Sequence, residues 1–155
     1  MNILHVDTNH PLLIEQLEAL GHHNVVDISS SKTEIAAVIS EYDGLVIRSR
    51  FSIDKIFLEQ AKNLKFIARV GAGLENIDVG YAHQKDIHLI AAPEGNSNAV
   101  GEHALGMLLA LFNKLNQANQ DVRSGLWPRE ANRGLELDSK TVGIIGYGHM
   151  GKAFA

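Results

Sequence analysis

Short apolar runs alternate with amphipathic helical segments along the chain from Ile3 to Ala91. Each run is only a few residues long and rich in aliphatic side chains, which is typical of strands buried on both faces of a parallel sheet. The predicted strands are Ile3–Val6, Val25–Ile28, Leu45–Ile47, Phe66–Val70 and His88–Ala91, and the predicted helices are Pro11–Leu20, Lys32–Glu41, Asp54–Ala61 and Asp78–Gln84.

The apolar side chains of these helices recur mostly at helical spacing, so each helix has one face that can cover the sheet. Strands and helices that alternate in this way predict an α/β fold, a flavodoxin-like doubly wound parallel sheet, which we assign to a first domain over residues 1–96. We expect the inner faces to be Leu12, Leu13, Leu17 and Leu20 in the first helix, Ile35, Val38 and Ile39 in the second, and Ile56, Phe57 and Ala61 in the third.

The pattern changes at Ser97, which we predict to cap a long helix. Apolar residues recur at helical spacing from Val100 up to about Gln120, a length of roughly 35 Å at 1.5 Å per residue. We expect this helix to leave the first domain and to enter a second one over residues 97–155. The polar stretch Asp121–Asp138 carries Trp127, which is either a partner-binding residue on an exposed arm or part of an ordinary loop folded over its own core.

The last part of the chain has the pattern of a nucleotide-binding turn. Thr141–Ile145 is a short apolar run that predicts a buried strand, and Gly146, Gly148 and Gly151 follow it at the G-x-G-x-x-G spacing. The residues from Lys152 to Ala155 predict the start of a helix, whose free N–H groups would face a pyrophosphate.

A dinucleotide site also needs an acidic residue roughly 20 positions after the glycines, on a second strand. The chain ends at Ala155. We therefore expect these residues to be the front part of a longer protein, with a truncated Rossmann domain and inactive by themselves. We also expect the residues after about Ser139 to be poorly ordered or to pack against another copy of the chain.

Composition and charge exclude several classes of protein. A formal net charge of −4 and the lack of a basic cluster argue against a nucleic-acid surface. The chain has no cysteine, which excludes disulfides and thiol chemistry and suits the cytoplasm. The apolar run of Ala104–Phe112 is too short to span a membrane. The histidines lack metal-ligand spacing, so we predict no metal site, and we expect His103 to pack against its neighbours rather than to act in catalysis.

Two loops at the carboxyl ends of predicted strands have residues suited to an acidic substrate. Arg48, Ser49 and Arg50 end the third strand, where two guanidinium groups can clamp an acid, unless they only pair with surface carboxylates. Gly71, Ala72 and Gly73 end the fourth strand, where backbone N–H groups can hold a carboxylate, unless the glycines only form a tight turn. Together they favour a small anionic ligand.

These motifs resemble the D-isomer-specific 2-hydroxyacid dehydrogenases, and within them the phosphoglycerate dehydrogenase branch. The similarity runs from about Leu45 to Ala155 and more loosely back to Met1. It is carried by Arg48-Ser49-Arg50, Gly71-Ala72-Gly73-Leu74-Glu75-Asn76-Ile77-Asp78, Ala92-Pro93-Glu94-Gly95-Asn96-Ser97, Glu102-His103-Ala104, Gly125-Leu126-Trp127 and the closing glycines. Gly101 departs from the alanine common in the family, and should weaken its helix by about 1 kcal/mol.

The resemblance implies a substrate domain, a Rossmann NAD domain and a site between them. Arg48 and Arg50 would hold the acidic or phosphate end of the substrate, the backbone of Ala72 and Gly73 its carboxylate, and Asn96 would line the site. Ala72 would also lie near the cofactor, NAD or alternatively NADP. The pyrophosphate would meet Gly146, Gly148, His149, Met150 and Gly151.

The resemblance also implies that the family's catalytic arginine, glutamate and histidine lie downstream of the glycines, so no residue of this chain is assigned a catalytic role. It further implies a homodimer formed through the helix and arm of residues 97–138. The leading hypothesis is part of an NAD-dependent oxidoreductase that acts on the CH–OH group of a D-2-hydroxy acid, foremost 3-phosphoglycerate. The alternatives are a glyoxylate or hydroxypyruvate reductase, and a non-catalytic module that binds an anionic metabolite and dimerises.

Overall fold

The structure, a computed structural model, describes residues 1–155. The chain divides into two compact units, Met1–Pro93 and Glu94–Ala155.

The first unit is a parallel sheet of five strands in the order β2-β1-β3-β4-β5. This order is that of flavodoxin-like folds, so the predicted α/β fold is confirmed. The strands are β1 (Asn2–His5), β2 (His23–Val26), β3 (Gly44–Ile47), β4 (Phe66–Arg69) and β5 (His88–Ala91), and the helices are α1 (Pro11–Ala19), α2 (Lys32–Val38), α3 (Lys55–Gln60) and α4 (Val79–Gln84), with a 3-10 turn at Ile39–Glu41.

The core of this unit follows from the register of the sheet. Leu4, Leu45, Ile67 and Leu89 are aligned across four neighbouring strands, so their side chains share one face. Helices cover that face with buried aliphatic and aromatic side chains, which are Ile35, Ile39, Phe57, Leu58 and Ala82. Continuous burial of this kind explains why the strands have apolar runs rather than alternating patterns.

Polar residues fix where the short helices begin. Asp54 accepts a hydrogen bond of 3.0 Å from the N–H of Phe57 at the start of α3, and Asp78 does the same for Tyr81 in α4. Ser31 and Glu34 form a reciprocal capping box at the start of α2.

The prediction of an inward-facing side chain is wrong at four positions. Leu12, Leu20, Val38 and Ile56 are 50%, 73%, 37% and 74% exposed. Successive helix residues are separated by about 100°, so a helix of six residues buries a narrow face only. In α3 that face is formed by Phe57 and Leu58.

The second unit begins with two helices, α5 (Ser97–Phe112) and α6 (Leu115–Arg123), instead of the single long helix predicted. The break lies at Lys114, which has a left-handed backbone with φ of 51°. The carbonyl of Phe112 accepts the N–H of Leu135 at 2.9 Å, because the following arm folds back over the break. The predicted cap is also displaced, since Asn96 caps α5 and Ser97 is its first residue.

The end of the second unit differs from the prediction in one element. Thr141–Ile145 forms no strand, because the unit offers no other strand to pair with it. The glycine turn does open a helix, α7 (His149–Phe154), which packs against α5. The expectation that the residues after about Ser139 are poorly ordered or pack against another copy is therefore wrong for α7, which packs against α5 of its own chain.

No helix of the chain combines the length and the apolar character that crossing a bilayer requires.

Candidate acid-binding site

The loop Arg48–Arg50 follows β3 directly, at the carboxyl edge of the sheet. All four residues of β3 are buried, so the chain first reaches solvent at Arg48. Asp7 follows β1, and the parallel pairing of β1 with β3 brings it to the same edge. Ligands of open α/β sheets bind at this edge.

The carboxylate of Asp7 holds the backbone of this loop. Its Oδ2 atom accepts a hydrogen bond of 2.6 Å from the N–H of Arg48 and one of 3.4 Å from the N–H of Arg50. A side chain from one strand thus sets the conformation of the loop that ends the neighbouring strand.

The guanidinium of Arg50 is engaged within the protein. Its Nη1 atom donates to the carbonyls of Val6 at 2.9 Å and Asp27 at 2.8 Å, and its Nη2 atom donates to the carbonyl of Ser30. These carbonyls lie in the segments that follow β1 and β2, so the side chain ties three segments together. The geometry therefore leaves Arg48, and not Arg50, as the arginine of this loop that is open to a ligand.

Arg48 is exposed, and its side chain has no hydrogen-bond or ion-pair partner within the chain. Its carbonyl is the anchored part, since it accepts from Nε of Arg69 at 3.1 Å and from Nδ2 of Asn76 at 3.5 Å. Arg69 is the last residue of β4, so a second guanidinium lies beside the Arg48 loop. The sequence analysis missed Arg69, although an arginine two residues before a glycine turn at the end of a strand was a usable signal.

The turn Gly71–Gly73 has the open backbone groups that the sequence predicted. The N–H groups of Ala72 and Gly73 have no acceptor within the chain, whereas the N–H of Gly71 donates to Arg69 at 2.9 Å. A Cβ atom at Gly71 would lie 1.9 Å from the guanidinium of Arg69, and one at Gly73 would lie 1.8 Å from the carboxylate of Glu75. Both atoms are the ends of flexible side chains that lie over the turn, so a larger residue at either position would displace Arg69 or Glu75 rather than the backbone.

Asn76 joins this turn to the arginine loop. Its Nδ2 atom also donates to the carbonyl of Phe51 at 3.4 Å. Ile53 and Ile77 form an isolated parallel bridge nearby, which fixes the two loops side by side. Arg48, Ser49, Arg50 and the Gly71–Gly73 turn are therefore brought together in one region of the first unit.

The glycine turn of the second unit runs directly into α7. Gly146 has a φ of 89°, which favours glycine, and Gly148 caps α7 without any side-chain hydrogen bond. A Cβ atom at Gly151 would lie 2.2 Å from the carbonyl oxygen of Gly146, so the helix starts directly against the turn. The open N–H groups at the start of α7 fit an anionic group.

Other predicted residues of the second unit lie in exposed positions. His149 has its Nδ1 atom 3.6 Å from Oε1 of Glu94, a neighbour that the sequence analysis did not identify. Asn96 caps α5 with its backbone, and its side chain makes no capping bond. His103 is exposed on α5, so the expectation that it packs against its neighbours is wrong.

Comparison with known proteins identifies the class to which this geometry belongs. The sequence profile of the D-isomer specific 2-hydroxyacid dehydrogenase catalytic domain matches residues 3–150. The chain belongs to this family.

The chain is similar to a D-3-phosphoglycerate dehydrogenase of Archaeoglobus fulgidus, with 37% identity over 89% of this chain and 26% of the relative. It is equally similar to a hydroxypyruvate reductase of Thermotoga maritima, with 37% identity over 97% of this chain and 50% of the relative. Among solved structures, an NADPH-dependent glyoxylate/hydroxypyruvate reductase of Sinorhizobium meliloti in complex with NADP and malonate has a TM-score of 0.74 and 26% identity, and the match covers 99% of this chain and 48% of that one. The chain thus spans half or less of the length of each of these proteins.

Proposed function

We propose that residues 1–155 form the acid-binding part and the first phosphate loop of an oxidoreductase that acts on the CH–OH group of a D-2-hydroxy acid with NAD, or alternatively NADP. The observation that carries this proposal is the free guanidinium of Arg48 beside Arg69 and the open N–H groups of the Gly71–Gly73 turn. Guanidinium and backbone N–H donors are the groups that recognise carboxylates and phosphates.

The proposed substrate is 3-phosphoglycerate. Two guanidinium groups at one edge suit a ligand with two acidic ends, and a relative at 37% identity is a D-3-phosphoglycerate dehydrogenase. The second candidate substrate is hydroxypyruvate or glyoxylate. It is favoured by the hydroxypyruvate reductase of Thermotoga maritima, and also by the hydrogen bonds of Arg50 to backbone carbonyls, because they leave one guanidinium fewer to bind a phosphate group.

The cofactor proposal rests on the glycine turn. Gly146, Gly148, His149, Met150 and Gly151 would hold the pyrophosphate of a nicotinamide dinucleotide through open N–H groups, with Ala72 near the nicotinamide side. When bound, the nicotinamide would take or supply the hydride of the reaction. Asn96 and Ser49 are proposed to line the substrate site, and no residue of the chain is assigned the acid–base role.

We further propose a homodimer through the helix and arm of residues 97–138, in the cytoplasm. Large apolar side chains are exposed along this segment, among them Leu111, Leu126, Trp127 and Leu135. Exposed apolar clusters of this kind favour a protein partner. The lack of cysteine suits a reducing compartment.

Calorimetry on the chain tests the acid site. We expect 3-phospho-D-glycerate to bind more tightly than D-glycerate or glyoxylate. The Arg48→Gln variant should weaken this binding by roughly 10- to 100-fold, the typical effect of losing a charged hydrogen bond. Arg123→Gln on α6 is the control and should bind as the unmodified chain does. Equal binding by Arg48→Gln would contradict the proposal.

Turnover separates an oxidoreductase from a non-catalytic binding module. Because no acid–base residue is assigned here, we expect the 155-residue chain to bind the acid without reducing NAD. A longer protein containing these residues and the family's catalytic residues should reduce NAD with a D-2-hydroxy acid. Acid binding with no turnover by such a protein would favour the binding module.

A further inference from the structure

Two charged side chains of the Arg48–Arg50 region, those of Asp7 and Arg50, both make contacts within the protein. Asp7 accepts the N–H groups on either side of Ser49, and Arg50 donates to carbonyls of Val6, Asp27 and Ser30. Both N–H groups of Nη1 are used, and one of Nη2. A ligand could recruit Arg50 only by leaving these carbonyls without their donor, which is costly for partly buried groups.

The position of Asp7 carries a second piece of information. A carboxylate beside an acid-binding loop repels an anionic ligand, so it is unfavourable there as a ligand contact. Its two hydrogen bonds to the loop backbone give Asp7 a structural role instead, because they fix the backbone at Arg48 and so the direction in which the Arg48 side chain extends. Of the two arginines of this loop, only Arg48 is exposed and has a guanidinium without a hydrogen-bond partner in the chain.

From this arrangement, and resting on the proposed acid-binding function, we propose that Asp7 and Arg50 are positioning residues. They tie the loop to the segments that follow β1 and β2, so that Arg48 presents its guanidinium in a fixed direction, and neither of them contacts the substrate acid. Specificity at this loop then comes from a single guanidinium, with Arg69 as the second cation of the site.

Substitution of Asp7 distinguishes a positioning role from a purely electrostatic one, because the two roles predict opposite changes in the affinity for the acid. If Asp7 acts only through its charge, Asp7→Asn and Asp7→Ala should both bind 3-phospho-D-glycerate more tightly than the unmodified chain. If Asp7 positions the loop, Asp7→Ala should bind about tenfold more weakly, the scale expected from a misplaced binding group. Asp7→Asn keeps one acceptor oxygen and should recover part of this loss.

The matched control is Asp86→Asn, which removes the same charge at the opposite edge of the sheet. Asp86 has a φ of 55°, a conformation that asparagine adopts readily, so this variant should fold and bind unchanged. Circular dichroism checks that each variant is folded, and Asp7→Asn carries the test if Asp7→Ala does not fold. Binding by Asp7→Asn as tight as, or tighter than, that of the unmodified chain would overturn the proposal.

Side-chain NMR of ¹⁵N-labelled arginine tests the role of Arg50 directly. On addition of 3-phospho-D-glycerate the Nε resonance of Arg48 should shift, whereas that of Arg50 should not. A ligand-induced shift of Arg50 that is as large as that of Arg48 would overturn the assignment.

A ligand-free double-mutant cycle separates failure of this inference from failure of the proposed function. If the unmodified chain binds none of the acids, the proposed function fails. The free energies of unfolding of Asp7→Asn, Arg50→Gln and the double variant still decide whether the two residues hold one loop. Non-additive effects would support the shared role, and additive effects would overturn it.

Discussion

A Cβ atom placed on Gly101 would lie 2.6 Å from the carbonyl oxygen of Ala153. Gly101 is the one buried residue of α5, and it lets the backbone of α7 approach that of α5 more closely than any side chain would allow. The residue that looked like a weak point of the helix on propensity alone is therefore the contact on which the packing of α7 depends.

The Gly101→Ala variant should destabilise the second unit, although alanine is the better helix former. The clash is with backbone, which cannot rotate away, so α7 must move off α5. The expected cost is about 1–3 kcal/mol, measured as the change in the free energy of unfolding in urea. Gly106→Ala on the same helix is the control, because a Cβ atom there meets nothing within 4 Å. Gly106→Ala should be neutral or stabilising by up to about 1 kcal/mol, and the reverse order of the two variants would contradict the assignment.

The hydrophobic pattern predicted the first unit well, because its helices and strands are short segments with their own apolar patterns and they pack around one continuous core. The strand bounds agree within a residue or two, and the observed strand order is that of the flavodoxin-like fold predicted from the alternation of strands and helices. Exposure of Ile56 was not predictable, since a six-residue helix has too few positions to distinguish the buried face by spacing alone. The prediction of a strand at Thr141–Ile145 was wrong for another reason. A strand needs a neighbouring strand to satisfy its backbone hydrogen bonds, and the apolar content of a segment does not reveal whether such a strand is present.

The candidate site shows the same limit. The sequence located Arg48, Arg50 and the glycine turn by the ends of predicted strands, yet it could not distinguish their side-chain roles. The carbonyls bonded to Arg50 come from Val6, Asp27 and Ser30, which lie far away in sequence. Only the assembled sheet brings these atoms within reach, so the role of Arg50 depends on tertiary structure.

The buried His5 offers a test of a polar pair inside the core. His5 is fully buried, and its Nε2 atom lies 2.9 Å from Oδ1 of Asn24 on the neighbouring strand. Asn24→Ala removes this partner and leaves both ring nitrogens buried without a hydrogen bond, since Nδ1 has none already. The expected loss is about 1–3 kcal/mol in the free energy of unfolding.

Asn63→Ala is the matched control for this pair. Asn63 donates to the carbonyl of Ser40 at the surface, so its removal should change the free energy of unfolding by no more than about 0.5 kcal/mol. Urea unfolding followed by circular dichroism measures both. Equal effects would mean that the bond between His5 and Asn24 contributes little to the core.

The carboxylate of Asp54 makes stability dependent on pH. The hydrogen bond from the side chain of Lys32, and next that from the N–H of Phe57, hold the pKa of Asp54 below its ordinary value. Between the lowered pKa and the ordinary value of about 4, the unfolded chain binds more protons than the folded one. The free energy of unfolding should therefore fall as the pH falls through this interval. Above the interval the contribution of Asp54 is fully present and no longer changes with pH.

Asp54→Asn removes the titrating group, so the decline of stability below about pH 4 should become shallower. Asp43 keeps part of the decline, because the side chain of Lys65 and the N–H of Asn2 also lower its pKa. Thermal unfolding midpoints measured from about pH 2 to about pH 7, which spans the ordinary carboxylate range, give this slope. An unchanged slope in Asp54→Asn would show that the pairing with Lys32 does not persist in solution.

Trp127 reports on the proposed homodimer because it is the single tryptophan of the chain and is 80% exposed. A tryptophan that enters an interface loses contact with water, so its emission should shift to shorter wavelength as the protein concentration rises. Trp127→Ala should weaken self-association by roughly tenfold or more in sedimentation experiments, since buried tryptophans contribute strongly to interfaces. Ile56→Ala removes a similarly exposed apolar side chain from α3 and should leave association unchanged, because this residue lies outside the proposed interface. Association that does not respond to Trp127→Ala would exclude the arm as the dimer contact.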